Sequence, residues 1–175
     1  LRESAMSVAD VCALVPELDE AQAIAAIALL VDGGYAAPAV PESIASAARS
    51  SARRLNRALV AQNRSGADHS TLIAPAIGSA IDVDPVEMLA LGAVWDGEAA
   101  DVTSLTNRVV QDLARLQRVV REQGVLVSDP AESRLIVERR VVRALERVTG
   151  VYQHLGIADP PSTPATAQPG DASAM

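Results

Sequence analysis

The sequence contains no phenylalanine and no lysine, one cysteine, one tryptophan and two tyrosines in 175 residues. Each scarcity excludes something. With Trp95, Tyr35 and Tyr152 as the only aromatic side chains, a core must be built from Ala, Val, Leu and Ile, whose small cross-sections suit close helix-on-helix packing. The lone Cys12 rules out an internal disulfide and fits a reducing compartment, so a cytoplasmic location is expected. No apolar run approaches the roughly 20 residues of a membrane span, and no signal-peptide order is present at the start, so no membrane partner is expected. All fifteen basic residues are arginines, outnumbered by 22 acids for a net charge of -7 and a pI of about 4.8. That balance makes nucleic acid an unlikely partner, because phosphate neutralisation dominates such binding.

What is present is ordinary for a folded chain: 49% hydrophobic residues and 21% charged, enough for one good core or two small ones. Ser7 is placed to cap a short helix with Val8, Val11, Cys12 and Val15 on one face, ended near Pro16. Asp19 and Gln22 form a capping box for a second helix through Val31, closed by Gly33-Gly34, and Tyr35 to Val40 reads as a brief extended segment broken by Pro38 and Pro41. Helix, turn, helix, glycine, strand is the order of a winged helix whose first helix lies at or before Leu1. The chain therefore reads as cut from a longer protein.

Glu42 to Asn63 predicts a long connecting helix closed by Ser65-Gly66. Ala67 to Val83 reads as an ordered crossing rather than a helix, because of Pro75 and Gly78. Asp84-Pro85-Val86-Glu87 is a helix start with Asp as cap, Pro at the first position and Glu at the third, and its helix should stop at Gly97. Asp101 or Thr103 caps a helix expected to run to about Gln123. After an extended stretch from Val125 to Val127, Asp129-Pro130-Ala131-Glu132 opens a last helix to about Leu155 and Gly156. The fold class is accordingly mainly α: a winged-helix-like N-terminal unit over 1–41 with its first helix missing, a connecting helix over 42–66, a helical bundle with short extended segments over 67–157, and a disordered tail over 158–175 rich in Pro, Ser, Thr and Ala.

The segment from Arg53 to Val83 carries the most specific pattern. A helix with R-L-N-R-A-L runs into Leu-x-x-Pro-x-x-Gly before a fresh helix start. This resembles the C-terminal regulatory region of bacterial S-adenosylmethionine-dependent methyltransferases, the class that includes protein-lysine methyltransferases. The matching residues are Arg54, Leu55, Asn56, Ala58 and Leu59, then Leu72, Pro75, Gly78 and Val83, then Leu89 and Leu91. Gly78-Ser79-Ala80 stands where the family has three glycines, and Ile73-Ala74 where Ala-Ser is usual. The resemblance extends more weakly over Ser7 to Ile157. It implies a noncatalytic module that recognises a protein substrate, regulates or dimerises, with S-adenosylmethionine held by an upstream catalytic domain and no cofactor in this chain.

Candidate chemistry is sparse. Gly33-Gly34 closes a helix instead of opening one after a strand, so it is no cofactor turn. Asp159-Pro160-Pro161 is followed by Ser162, where an amino-methylating loop has an aromatic residue. His69 and His154 have no second ligand at metal-binding spacing, and Cys12 falls on an apolar face without a base. No catalytic, cofactor-binding or metal residue is assigned. Arginines recur every four positions at Arg49, Arg53 and Arg57 and again at Arg139, Arg143 and Arg147, with Arg140 beside the second set. Such stripes are ordinarily solvated faces paired with acids, and the sharper alternative is contact with an acidic partner or with the missing catalytic domain. Arg139, Arg143, Arg147 and Trp95 are the interaction candidates, the last either a core residue or an interface anchor. The competing function is a winged-helix DNA-binding regulator, but its recognition helix would be Glu20 to Val31, which lacks arginine. A free-standing helical homodimer is a third possibility.

Overall fold

A computed structural model describes residues 6–97 and 101–158. The chain is mainly helical there. Its helices are α1 (Val8–Leu14), α2 (Glu20–Asp32), α3 (Glu42–Arg64), α4 (Pro85–Trp95), α5 (Val102–Arg115), α6 (Pro130–Thr149) and α7 (Val151–His154). The strands β1 (Thr71–Ala74) and β2 (Ser79–Asp82) form one antiparallel pair, β3 (Arg121–Glu122) and β4 (Val125–Leu126) another. Of the tail expected over 158–175, Ala158 is instead buried in the core, and the rest, with the Asp159-Pro160-Pro161 segment, lies outside the described residues.

α4 is the centre. All residues from Val86 to Ala93 are buried, as expected for a helix that is apolar on every side. One side packs with α5 and α6 through Leu89, Ala93, Leu105, Val109, Ile136 and Val141. The other packs through Met88 and Leu91 against Val60 of α3, Leu72 of β1, Tyr152 of α7 and Ile157. Gly92 lets α3 come this close, since a Cβ there would collide with the Arg64 side chain and sit 3.1 Å from Val60.

The helix starts fall where the capping residues put them. Ser7 with Asp10 and Asp19 with Gln22 make reciprocal capping boxes, Asp101 accepts from the Ser104 N–H at 2.9 Å, and Asp129 accepts from Ala131 and Glu132. The hydrogen bonds from Ser7 and from Ser104 hold the exposed Asp10 and Asp101 carboxyls below the usual aspartate range. Asp84 accepts from the Val86 N–H at 2.8 Å. Glu87, expected to complete that cap, does not. It is buried and bonded to distant side chains instead.

Two helix ends differ from expectation. α5 stops at Arg115 rather than near Gln123. Gln117 takes a left-handed conformation, φ 53, and the Arg118 N–H turns back to the Leu113 carbonyl, which closes the helix in the Schellman manner. The next residues form the β3–β4 hairpin, whose Gln123 and Gly124 both have positive φ, the pattern of a tight two-residue turn. The last helix breaks at Gly150, so α6 and α7 are separate elements. Tyr35 to Val40, expected to be extended, have no strand partner in the described residues. The 67–83 crossing is ordered, as expected, and resolves into β1, a single 3-10 turn over Pro75–Ile77, and β2.

Asp84 both caps α4 and accepts from Arg140 Nη1 at 2.9 Å, whereas Asp129 only caps. Asp129→Ala should therefore cost about 0.5–2 kcal/mol, and Asp84→Ala more. Urea denaturation midpoints check this, the expected order being wild type above Asp129→Ala above Asp84→Ala.

Candidate functional site

The residues of the R-L-N and Leu-x-x-Pro-x-x-Gly patterns meet in space. Asn56, wholly buried on α3, donates to the Ile73 carbonyl at 2.9 Å and accepts from the Ile73 N–H at 2.8 Å. Its amide thus serves the edge of β1 as a second strand would, satisfying a buried peptide that otherwise has no partner on that side. Two turns on, the equally buried Asn63 donates to the His69 carbonyl and accepts from Arg118. Arg118 also donates to the Ala67 carbonyl. At the far end of β1, Gly78 has φ +61 and faces Val40, whose Cγ1 lies 2.7 Å from where a Cβ would be. Both the left-handed backbone and the close approach require glycine there.

A second cluster sits under α4. Glu87 is 2% exposed and Tyr152 is fully buried. The Tyr152 hydroxyl donates to Glu87 Oε1 at 2.6 Å and Arg147 Nη1 donates to Glu87 Oε2 at 2.9 Å. Burial, followed by the adjacent carboxylate, pushes the Tyr152 phenol well above its ordinary range. Burial works against the Arg147 charge, but the Glu87 carboxylate and Tyr152 outweigh it and raise the guanidinium. Both Glu87 oxygens are engaged, so the group is a structural acceptor with no open position for substrate.

The sequence candidates do not converge on one place. Arg147 belongs to the buried cluster. Arg139 is exposed on α6 and reaches Glu122 at 3.4 Å, while Arg140 spans Asp84 and Glu122, each at 2.9 Å. Arg143 is exposed on the same helix. Trp95 is half-buried against the α3-facing core and borders a groove of about 340 Å³ with Arg57, Arg64, Gly92 and Asp96. Arg49 pairs with Glu42 at 2.8 Å. His69 bonds Gln62 and His154 bonds the Gly150 carbonyl, and Cys12 is half-buried. Among the described residues no group of three or more His, Cys, Asp or Glu side chains is arranged to hold a metal ion, and no helix is long and apolar enough to cross a membrane.

Sequence reasoning missed Asp112. It is 3% exposed and accepts from Arg108 at 3.1 Å and from Arg115 at 3.0 Å, with Arg64 4.0 Å away. The i,i+4 and i,i+3 spacing to Arg108 and Arg115 was the available signal.

The apolar surface is concentrated elsewhere. Of α1 and α2 only Ala23 is buried, and Leu14, Ile24, Leu29, Leu30 and Tyr35 are exposed. A lesser patch on the outer face of α6 includes Leu135 and Val142, which line a groove with Arg139.

No family model matches this chain, and no curated protein or solved structure proved similar to it.

Tyr152→Phe leaves one oxygen of a buried carboxylate without a donor and should cost about 1–3 kcal/mol. The same contact has a pH signature. Below pH 10.0, the ordinary tyrosine value, the contribution of the raised phenol is complete; above it only the unfolded chain ionises, and stability falls. Chemical denaturation at pH 8 to 11 should show an alkaline loss in the wild type that Tyr152→Phe reduces.

Proposed function

We propose that this chain is a noncatalytic protein-interaction module, the C-terminal regulatory or substrate-recognition region of a class I S-adenosylmethionine-dependent methyltransferase acting on protein substrates. The supporting observation is the joint between Asn56 and Ile73. It gives the R-L-N helix and the Leu-x-x-Pro-x-x-Gly segment, the two parts of the family pattern, a shared physical purpose: one amide fixes the crossing whose turn contains Pro75 and Gly78. A motif of this kind positions surfaces and performs no chemistry, which fits a region that orients a protein acceptor for an upstream catalytic domain. The cofactor belongs to that domain in this reading.

The polar clusters are consistent with it. Glu87, Asp112, Asn56 and Asn63 all have bonds to protein partners, while the apolar surface lies on α1 and α2. Interaction, rather than bond making, is what such a distribution serves. The winged-helix-like description of the N-terminal unit is part of this proposal, resting on the α1–α2 pair and the glycine turn after it. The competing DNA-binding regulator would place α2 in a groove. That helix has Glu20 and Asp32 and no basic residue, so it offers neither phosphate contacts nor base-reading guanidinium groups.

Calorimetric titration of the chain with S-adenosylmethionine should give no binding heat, and the separately expressed protein region preceding Leu1 should bind the cofactor and associate with this chain. Micromolar cofactor binding by the chain alone, or an upstream region without a cofactor fold, would overturn the proposal.

A further inference from the structure

The sheet of β1 and β2 has two edges, and the molecule treats them differently. The Val83 N–H donates to the Ser70 carbonyl at 2.7 Å, which makes Ser70 and Val83 a hydrogen-bonded pair continuing the antiparallel register. Bonded pairs alternate with unbonded ones, so the backbone groups of Leu72, Ile81, Ala74 and Ser79 face across the pair, while those of Thr71, Ile73, Ala80 and Asp82 point out of it. The Asn56 amide agrees, since it meets the outward groups of Ile73 from α3. On the opposite edge nothing among the described residues bonds the N–H or carbonyl of Ala80 or Asp82. Neither a proline nor a bulge interrupts that edge. What fits a row of alternating donors and acceptors is another extended backbone.

The side chains of β2 narrow the partner. Asp82 and Ala80 lie on one face, both exposed, and Asp82 has no ion pair among the described residues. Ile81 lies on the other face, half-buried against the α3-facing core. A strand laid antiparallel along β2 sets one residue beside Asp82, the next beside Ile81 and the third beside Ala80. A basic side chain answers the first position and an apolar one the second. The small Ala80 makes no demand on the third. A second copy of β2 does not answer the first, because two Asp82 carboxylates would then share one face at short range.

We propose that the free edge of β2 binds an extended segment of a protein partner by strand addition, with a basic residue beside Asp82 followed by an apolar residue beside Ile81. The proposal rests on reading the chain as a module that recognises a protein substrate, and it states the form that substrate takes. Its test involves neither the cofactor nor the region preceding Leu1, so the two fail separately.

The probe is a peptide blocked at both ends, Ser-Thr-Lys-Val-Thr-Thr-Ser, titrated into the isotope-labelled full chain and read by nuclear magnetic resonance. The Ala80 and Asp82 amide signals should shift, and their hydrogen exchange should slow. N-methylation of the peptide's Lys and of the Thr after Val removes the N–H groups that face the edge, and binding should weaken about tenfold or more. N-methylation of Val, whose N–H points away, should leave binding unchanged. A chain carrying Asp82→Lys should prefer the peptide with Glu in place of Lys. Amides of Ala80 and Asp82 that stay still, equal weakening by both kinds of N-methylation, or an unaltered preference in the Asp82→Lys chain would each overturn the proposal. Should Asp82→Lys fail to fold, the comparison of N-methylated peptides decides alone. Signals of Ala80 and Asp82 that move with chain concentration in the absence of peptide would assign the edge to a second copy, which also overturns it.

Discussion

Glu87 sits in the first turn of α4, the most buried helix among the described residues, and a carboxylate there is tolerable only with partners on both oxygens. Moving a charge out of water costs several kcal/mol per ion even after relaxation, more than the apolar neighbours of one helical turn return. The phenol of Tyr152 and the guanidinium of Arg147 supply the donors. Their positions dictate much of the rest. Arg147 must come from the last turn of α6, and Tyr152 must point back beneath α4, which a continuous helix past Thr149 would not do. The break at Gly150 and the short α7 follow from that demand. So does the path of the chain after α7, where the Ile157 and Ala158 N–H groups both bond the Tyr152 carbonyl and their side chains join the same core.

The local signals in the sequence read true where the governing physics was local. Ser7, Asp19, Asp84, Asp101 and Asp129 cap helices because a side-chain oxygen three residues or fewer from an unpaired N–H is a short-range event. The mainly helical class and the long α3 were legible for the same reason. Glu87 was not. At the third position after Asp84-Pro85 it has the look of a cap, and its real partners are 60 and 65 residues away. The interior Asn56 and Asn63 were hidden likewise: helix propensity marks asparagine only as mildly unfavourable, and nothing nearby announces the peptides of β1 and its approach. The left-handed Gln117 and Gln123 break the apolar period without a glycine or proline at either position, which is why α5 looked longer than it is.

Arginine without lysine becomes intelligible once the bonds are traced. Arg118 joins the Asn63 side chain to the Ala67 carbonyl, Arg115 joins Asp112 to the Arg64 carbonyl, and Arg140 joins Asp84, Glu122 and the Arg121 carbonyl. Each links elements through several donors of one planar group, which an ammonium cannot match in geometry. The stems of these side chains also cover apolar surface, a useful property in a chain with no phenylalanine. The four-residue arginine spacing on α6 thus mixed two roles. Arg147 braces the interior, whereas Arg139 and Arg143 stay on the outer face.

The contrast between the two parts of the chain carries the functional reading. From α3 onward, buried polar groups are nearly all bonded, Thr106 being an exception, and α4 is sealed on all sides. In α1 and α2 the order is inverted, with good caps at the helix starts and almost nothing buried between them. Helices of 7 and 13 residues are too short to be stable in water by propensity alone, so their stability must come from packing. One buried alanine on α2 supplies little of it. A segment with firm capping, an apolar surface and almost no buried side chain gains stability by removing that surface from water, and this is the physical ground on which the proposed interaction role rests.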